Sequence, residues 1–74
     1  MKIFELSPRY DSRKSFYGKA HVIEQPDGTL QLMSYETIVC ELTPSNVFRM
    51  IWDGRSQTTS RHIKEFRKQF DPAF

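Results

Sequence analysis

The sequence predicts an α+β domain: an antiparallel β-meander of about four strands with one C-terminal helix packed on a face of the sheet. Three observations carry that expectation. Gln25-Pro26-Asp27-Gly28 is a hairpin turn, because proline presets the second turn position and glycine supplies positive φ after an Asp. β-branched and aromatic residues then recur in short runs as far as Trp52, separated by turn formers, as a meander requires. Beyond that the apolar period changes. Ile63, Phe66 and Phe70 recur at i, i+3 and i+7, one stripe of a helix.

Each element follows in order. Residues 1–12 are a lead-in, where KIFEL reads as a short edge strand, Pro8 stops it and Tyr10-Asp11-Ser12 reads as a turn. Lys14 to Gln25 is strand-like, with Phe16, Gly18, Ala20 and Val22 apolar or small and Lys19 and His21 between them. Tyr17 and Ile23 interrupt the alternation, which points to cover on both faces, and Gly18 points to a bulge or a close contact. Thr29 to Ser34 is the return strand, Leu30 and Leu32 on one side, Gln31 and Met33 on the other. Tyr35 to Leu42 puts Ile38, Cys40 and Leu42 on one face and Val39 opposite. Thr43-Pro44-Ser45-Asn46 ends it. Val47 to Trp52 is the last strand, with Phe48, Met50 and Trp52 on one face, and Asp53-Gly54 turns the chain. Any of Thr58, Thr59 and Ser60 suits a helix N-cap, Lys64, Arg67 and Lys68 suit the negative end of its dipole, and Pro72 closes it. A helix of about ten residues is too short to stand alone in water, so it must dock its stripe on the sheet.

Size and composition bound the rest. The 74 residues form a single domain, 1–74. A chain this short buries only about 60% of the surface its unfolded form exposes, so stability is marginal. Cys40 is the single cysteine and cannot pair within the chain, which argues for a reducing compartment. No apolar run approaches the roughly 20 residues that span a bilayer, and MKIFELSPRY lacks a signal-peptide layout, so cytoplasm is expected and a membrane is not. Net charge is +2, and the excess lies in the second half, where Arg49, Arg55, Arg61, Lys64, Arg67 and Lys68 face fewer acids. That excess alone does not mark a nucleic-acid binder.

Three clusters carry candidate chemistry. In WDGRSQTTSRHIKEF, residues Trp52 to Phe66, a helix N-terminus preceded by hydroxyls and flanked by Arg55 and Arg61 can hold an anion; the plainer reading is a turn and an ordinary cap. No Gly-rich phosphate loop follows Gly54. Arg61, Lys64, Glu65 and Lys68 are expected on the outer face of the helix, to track a phosphate backbone or simply to be solvated. In YDSRKSFYGK, Arg13, Lys14, Tyr17 and Lys19 interleave cations with an aromatic that can stack a base, although no ribonucleoprotein or KH-type motif is present. Catalysis finds no support: Cys40 reads as a buried inert thiol, and nothing orients His21 or His62 as a base. Cys40, His21 and His62 lack metal-ligand spacing, so neither a metal nor a cofactor is expected.

The run from about Tyr10 to Phe66 resembles a family of small uncharacterised proteins of Gram-positive bacteria and their phages and mobile elements. Its members carry SRKSFYGKA-like, YSYDT-like and LWDGYSATTxxHIxEF-like segments, which stand here at Ser12–Ala20, at Met33-Ser34-Tyr35-Glu36-Thr37, and at Ile51 through Phe66. Trp52, Asp53, Gly54, Ser56, Thr58, Thr59, His62, Ile63, Glu65 and Phe66 follow the last pattern. Arg55, Gln57 and Ile51 depart from it, at positions where Tyr, Ala and Leu are expected. The resemblance implies a bacterial or phage cytoplasmic setting and no particular activity.

The expectation is a non-enzymatic binding or regulatory protein. One candidate partner is nucleic acid, met by Arg13, Lys14, Tyr17, Lys19, Arg55, Arg61, Lys64 and Lys68. The other is a protein, with the chain acting as an inhibitor or accessory factor, for example against a host defence nuclease, and with Met33, Tyr35 and Tyr17 as anchors. An exposed edge strand also offers a route to a homodimer.

Overall fold

A computed structural model describes residues 1–54 and 56–74; Arg55 lies outside the described residues. Five strands follow one another, β1 (Lys2–Glu5), β2 (Ala20–Glu24), β3 (Leu30–Ser34), β4 (Thr37–Leu42) and β5 (Phe48–Met50), and then α1 (Gln57–Phe70). They form one antiparallel sheet in which each strand pairs with the next in sequence. The expected α+β meander with a C-terminal helix is therefore present, with five strands instead of about four. The lead-in KIFE contributes the extra strand, pairing with β2 from Lys2↔Glu24 to Glu5↔His21.

Register explains the core. Phe4, Val22, Leu32, Cys40 and Met50 lie across from one another on the face that α1 covers. Val22, Leu32, Cys40 and Leu42 are buried there with Leu6, Phe16 and Ala20, and Phe66 enters from the helix. Ile63 and Phe70 pack against this cluster half-buried, and the Phe70 ring lies 6.3 Å from that of Phe4. Complete burial of a side chain like Phe66 contributes about 1.5–3 kcal/mol, enough to hold a short helix in place. The opposite face carries Ile23, Met33 and Ile38, half-buried, among His21, Gln31 and Glu41.

Several local expectations change. β2 begins at Ala20, not Lys14, because Tyr17 and Gly18 adopt left-handed conformations (φ 54° and 70°) that a pleated strand does not accommodate. The turn is pinned by Ser15 Oγ, which accepts the Tyr17 N–H at 2.8 Å, and by the Glu5 carboxylate, which accepts the Gly18 N–H at 3.2 Å. Tyr35, expected in a strand, is also left-handed (φ 58°) and sits in the tight turn between β3 and β4. Val39 is buried together with Cys40 because β4 carries a bulge: Leu32 faces Cys40 while Met33 faces Ile38, leaving Val39 as the extra residue. Its carbonyl accepts the N–H groups of both Ile51 and Trp52, at 3.0 Å each.

The Gln25–Gly28 turn forms as expected, with Gly28 at φ 94° and its N–H bonded to the Gln25 carbonyl at 3.0 Å. Residues 51–54 run irregularly to the helix, and the Trp52 ring closes over Gly54 so tightly that a Cβ there would lie 2.3 Å from it. Only glycine fits. The helix starts at Gln57 with Ser56 as its N-cap, its Oγ accepting the Thr59 N–H at 3.2 Å. Thr58, Thr59 and Ser60 are thus first-turn residues and not caps. Glu65, expected on the outer face, is 2% exposed. It accepts the Tyr10 N–H at 2.9 Å and the Gln69 side-chain N–H at 2.6 Å, and so fastens the lead-in to the helix.

Candidate functional site

Three segments converge on one cleft: the turn before β2, the turn between β3 and β4, and the first half of α1. Its volume is about 210 Å³. Arg13, Lys19 and Arg61 supply cations; Phe16, Tyr17 and Tyr35 supply rings; His62 contributes from the helix side. Tyr17 and Tyr35 are 76% and 47% exposed, and both occupy the left-handed region, which costs a residue with a Cβ about 1–2 kcal/mol. Strain of that kind persists only where the surroundings impose it, and it gathers at ligand clamps.

Position in the fold explains these side chains. Ser34 ends β3 on the face that α1 covers, so its hydroxyl meets the helix. Ser34 Oγ lies 2.8 Å from His62 Nδ1 and 3.0 Å from Thr59 Oγ1. The imidazole is wholly buried, 4.6 Å from the Phe16 ring centroid in an edge-on arrangement and 6.0 Å from that of Tyr35. Burial pushes its pKa below the ordinary value, against a weaker upward pull from the Asp11 charge. Nδ1 is engaged by Ser34, and Nε2 has no partner among the described residues.

At the rim, Arg61 reaches Asp11 at 3.3 Å. The Asp11 carboxyl is held below the usual range first by the Arg13 backbone N–H, then by the charges of Arg61 and Arg13, with burial opposing. Lys19 Nζ lies 5.7 Å from the Tyr35 ring centroid, a cation over an aromatic face.

The fold thus joins Arg13, Tyr17, Lys19 and Arg61 of the expected binding residues. Lys14, Lys64 and Lys68 are exposed but outside the cleft, Lys64 and Lys68 on the outer face of α1. Arg55 lies outside the described residues. Met33, expected beside Tyr17 and Tyr35, is half-buried on the other face of the sheet, since Ser34 is the β3 residue turned toward the helix. His62 and Ser34 were not legible as site residues, for their pairing depends on how β3 and α1 dock. The left-handed Tyr17 had two traces in the sequence, its own break in the strand alternation and the bulge or close contact expected at Gly18.

Other candidates separate. His21 and Cys40 project from opposite faces of the sheet, and no group of three His, Cys, Asp or Glu side chains suited to a metal forms among the described residues. Burial raises the Cys40 thiol to about 12, so thiolate is scarce at neutral pH. No helix among the described residues is long and apolar enough to cross a membrane.

Fold and site together define a class: a small antiparallel-sheet domain with a basic, aromatic cleft where two turns meet one helix. The chain belongs to a family of unknown function, DUF8033, which matches residues 4–73. No curated protein and no solved structure matches it.

Proposed function

We propose that this chain is a small non-enzymatic binding protein of bacterial or mobile-element origin, acting in the cytoplasm, that contacts single-stranded nucleic acid. The observation that carries this reading is the meeting of Arg13, Lys19 and Arg61 with the exposed rings of Tyr17 and Tyr35 around one cleft. Exposed aromatics stack bases whatever their sequence, while neighbouring cations hold the phosphates. Lys64 and Lys68 extend the positive surface along α1. Against catalysis stands Ser34: it is the hydroxyl beside His62, and it is already engaged on both sides, by Thr59 Oγ1 and by His62 Nδ1.

Fluorescence anisotropy with labelled single-stranded DNA and RNA tests the reading. Affinity is expected to fall with rising salt at a logarithmic slope of about −2, for three phosphates neutralised at the cleft. Tyr17→Ala and Tyr35→Ala are each expected to cost about 1–3 kcal/mol of binding. Absence of binding to either strand at the lowest salt sinks it.

The competing reading, a protein-binding inhibitor or accessory factor, draws on Met50 and Ile51, both exposed beside the β5 edge. A pull-down with and without nuclease separates the two. Prey lost on digestion are tethered by nucleic acid, and prey that remain are bound through protein.

A further inference from the structure

We infer that the cleft is a receptor for a phosphate monoester, with His62 Nε2 donating to a phosphate oxygen and Arg13, Lys19 and Arg61 neutralising its charge. The inference rests on the nucleic-acid reading and names the group that enters. Its starting point is an unmet requirement. A buried polar atom without a partner is rare, because the desolvation it suffers is not returned by a hydrogen bond. Among the described residues two side-chain atoms stand in that position, His21 Nδ1 and His62 Nε2. His21 lies on the opposite sheet face, with Glu5 and Met33 across from it. His62 lies at the cleft.

The hydroxyls behind His62 decide what it offers. Thr59 Oγ1, Ser34 Oγ and His62 Nδ1 form a closed row, spaced 3.0 and 2.8 Å, whose protons can be ordered in either direction. Ordered toward the ring, Thr59 donates to Ser34, Ser34 donates to Nδ1, and Nε2 carries the remaining proton as a donor. An anionic oxygen at Nε2 selects that order, and three neighbouring cations favour an anion there over a neutral acceptor.

Charge and shape narrow the ligand further. Arg13, Lys19 and Arg61 set against Asp11 leave a local balance of about +2, which matches a phosphate monoester at roughly −1.5 to −2 near neutral pH. A diester within a strand carries a single charge and must enter and leave. Behind the cleft stand the wholly buried His62 and the core ring of Phe16, so the space ends there. At about 210 Å³ it is smaller than the roughly 300 Å³ at which drug-sized pockets begin. One phosphoryl group fits with its first substituent leading out past Tyr17 and Tyr35. Its source is a strand end or a free nucleotide.

The test compares a 5′-phosphorylated oligothymidylate, its 3′-phosphorylated and hydroxyl-ended counterparts, thymidine monophosphate and inorganic phosphate, all in phosphate-free buffer. One phosphorylated end is expected to bind about tenfold tighter than the hydroxyl-ended strand, with inorganic phosphate competing. Arg13→Gln and Lys19→Gln, both at exposed positions, are expected to remove most of that preference. His62→Gln should remove it too. Should that variant fail to fold, the His62 Nε2 proton in nitrogen-edited NMR of the unsubstituted protein reads the same bond, emerging and moving downfield as phosphate is added. Equal affinity for phosphorylated and hydroxyl-ended strands overturns the inference and leaves nucleic-acid binding standing. Binding of the monophosphate with none to any strand upholds the phosphate site and removes the nucleic-acid reading. No binding by any of the five probes removes both.

Discussion

At the scale of single residues, His62 joins stability to pH. Unfolded, its ring titrates near 6.5; folded, burial holds it lower. Between those two values the unfolded chain binds more protons than the native one, so stability rises with pH across the window. The contribution is complete above about 6.5 and is lost as pH falls toward the folded value. Thermal midpoints measured from pH 8 downward are therefore expected to drop below pH 6.5 in the unsubstituted protein. His62→Gln should show a shallower slope there, Gln retaining a polar atom for Ser34. Identical slopes would mean that the imidazole is not held neutral by its surroundings. None of this was visible in the sequence, where His62 was one of two histidines with nothing to orient it. The hydroxyl that orients it is Ser34, 28 positions earlier in the chain.

At the scale of elements, α1 shows what periodicity reveals and what it hides. The Ile63, Phe66 and Phe70 stripe faces the sheet because an apolar repeat of that spacing has one way to leave water. The start of the helix was displaced: three hydroxyl residues in a row compete as caps, and Ser56 serves because its backbone is still extended (φ −159°) while the next residue turns helical. Glu65 was misplaced for a different reason. A carboxylate is charted outward by default, and only tertiary donors, here Tyr10 and Gln69, make its burial tolerable. Arg67 was legible merely as a cation near a helix end. Its guanidinium in fact lies 4.0 Å from the Phe48 ring centroid and 4.5 Å from that of Phe74, and it donates to Asp71 Oδ2 at 3.0 Å. Lysine has neither the flat face nor the fork, so Arg67→Lys keeps the charge and loses the contacts. The expected loss is about 1–2 kcal/mol in urea unfolding. A change within error would show that charge alone suffices.

At the scale of the whole molecule, the fold class was readable because turn chemistry and side-chain period agree along most of the chain. The Gln25–Gly28 turn and the change of period after Trp52 between them fix the order of sheet and helix. The cleft was less readable, since its parts come from positions 13–19, 35 and 58–62 and share no local pattern. What could be seen was composition, cations near tyrosines; what could not was the left-handed backbone that turns Tyr17 and Tyr35 outward together. β1 was half-legible. Its residues are all exposed, so no burial pattern marks it, and pairing with β2 is what makes it a strand.

The unbroken order of the five strands, each beside its neighbour in the chain, bears on how quickly the protein assembles. Three of the four ladders close connections of about two to five residues, so little entropy is spent before those contacts repay it, whereas β1 reaches β2 across residues 6–19. Stopped-flow refolding is expected to give a single exponential complete within roughly tens of milliseconds, with straight chevron arms. A curved refolding arm with missing early amplitude would instead reveal a populated intermediate. A nascent chain of this design has most of its sheet partners within reach as they emerge, and the docking of α1 must wait until Gln57–Phe70 has followed.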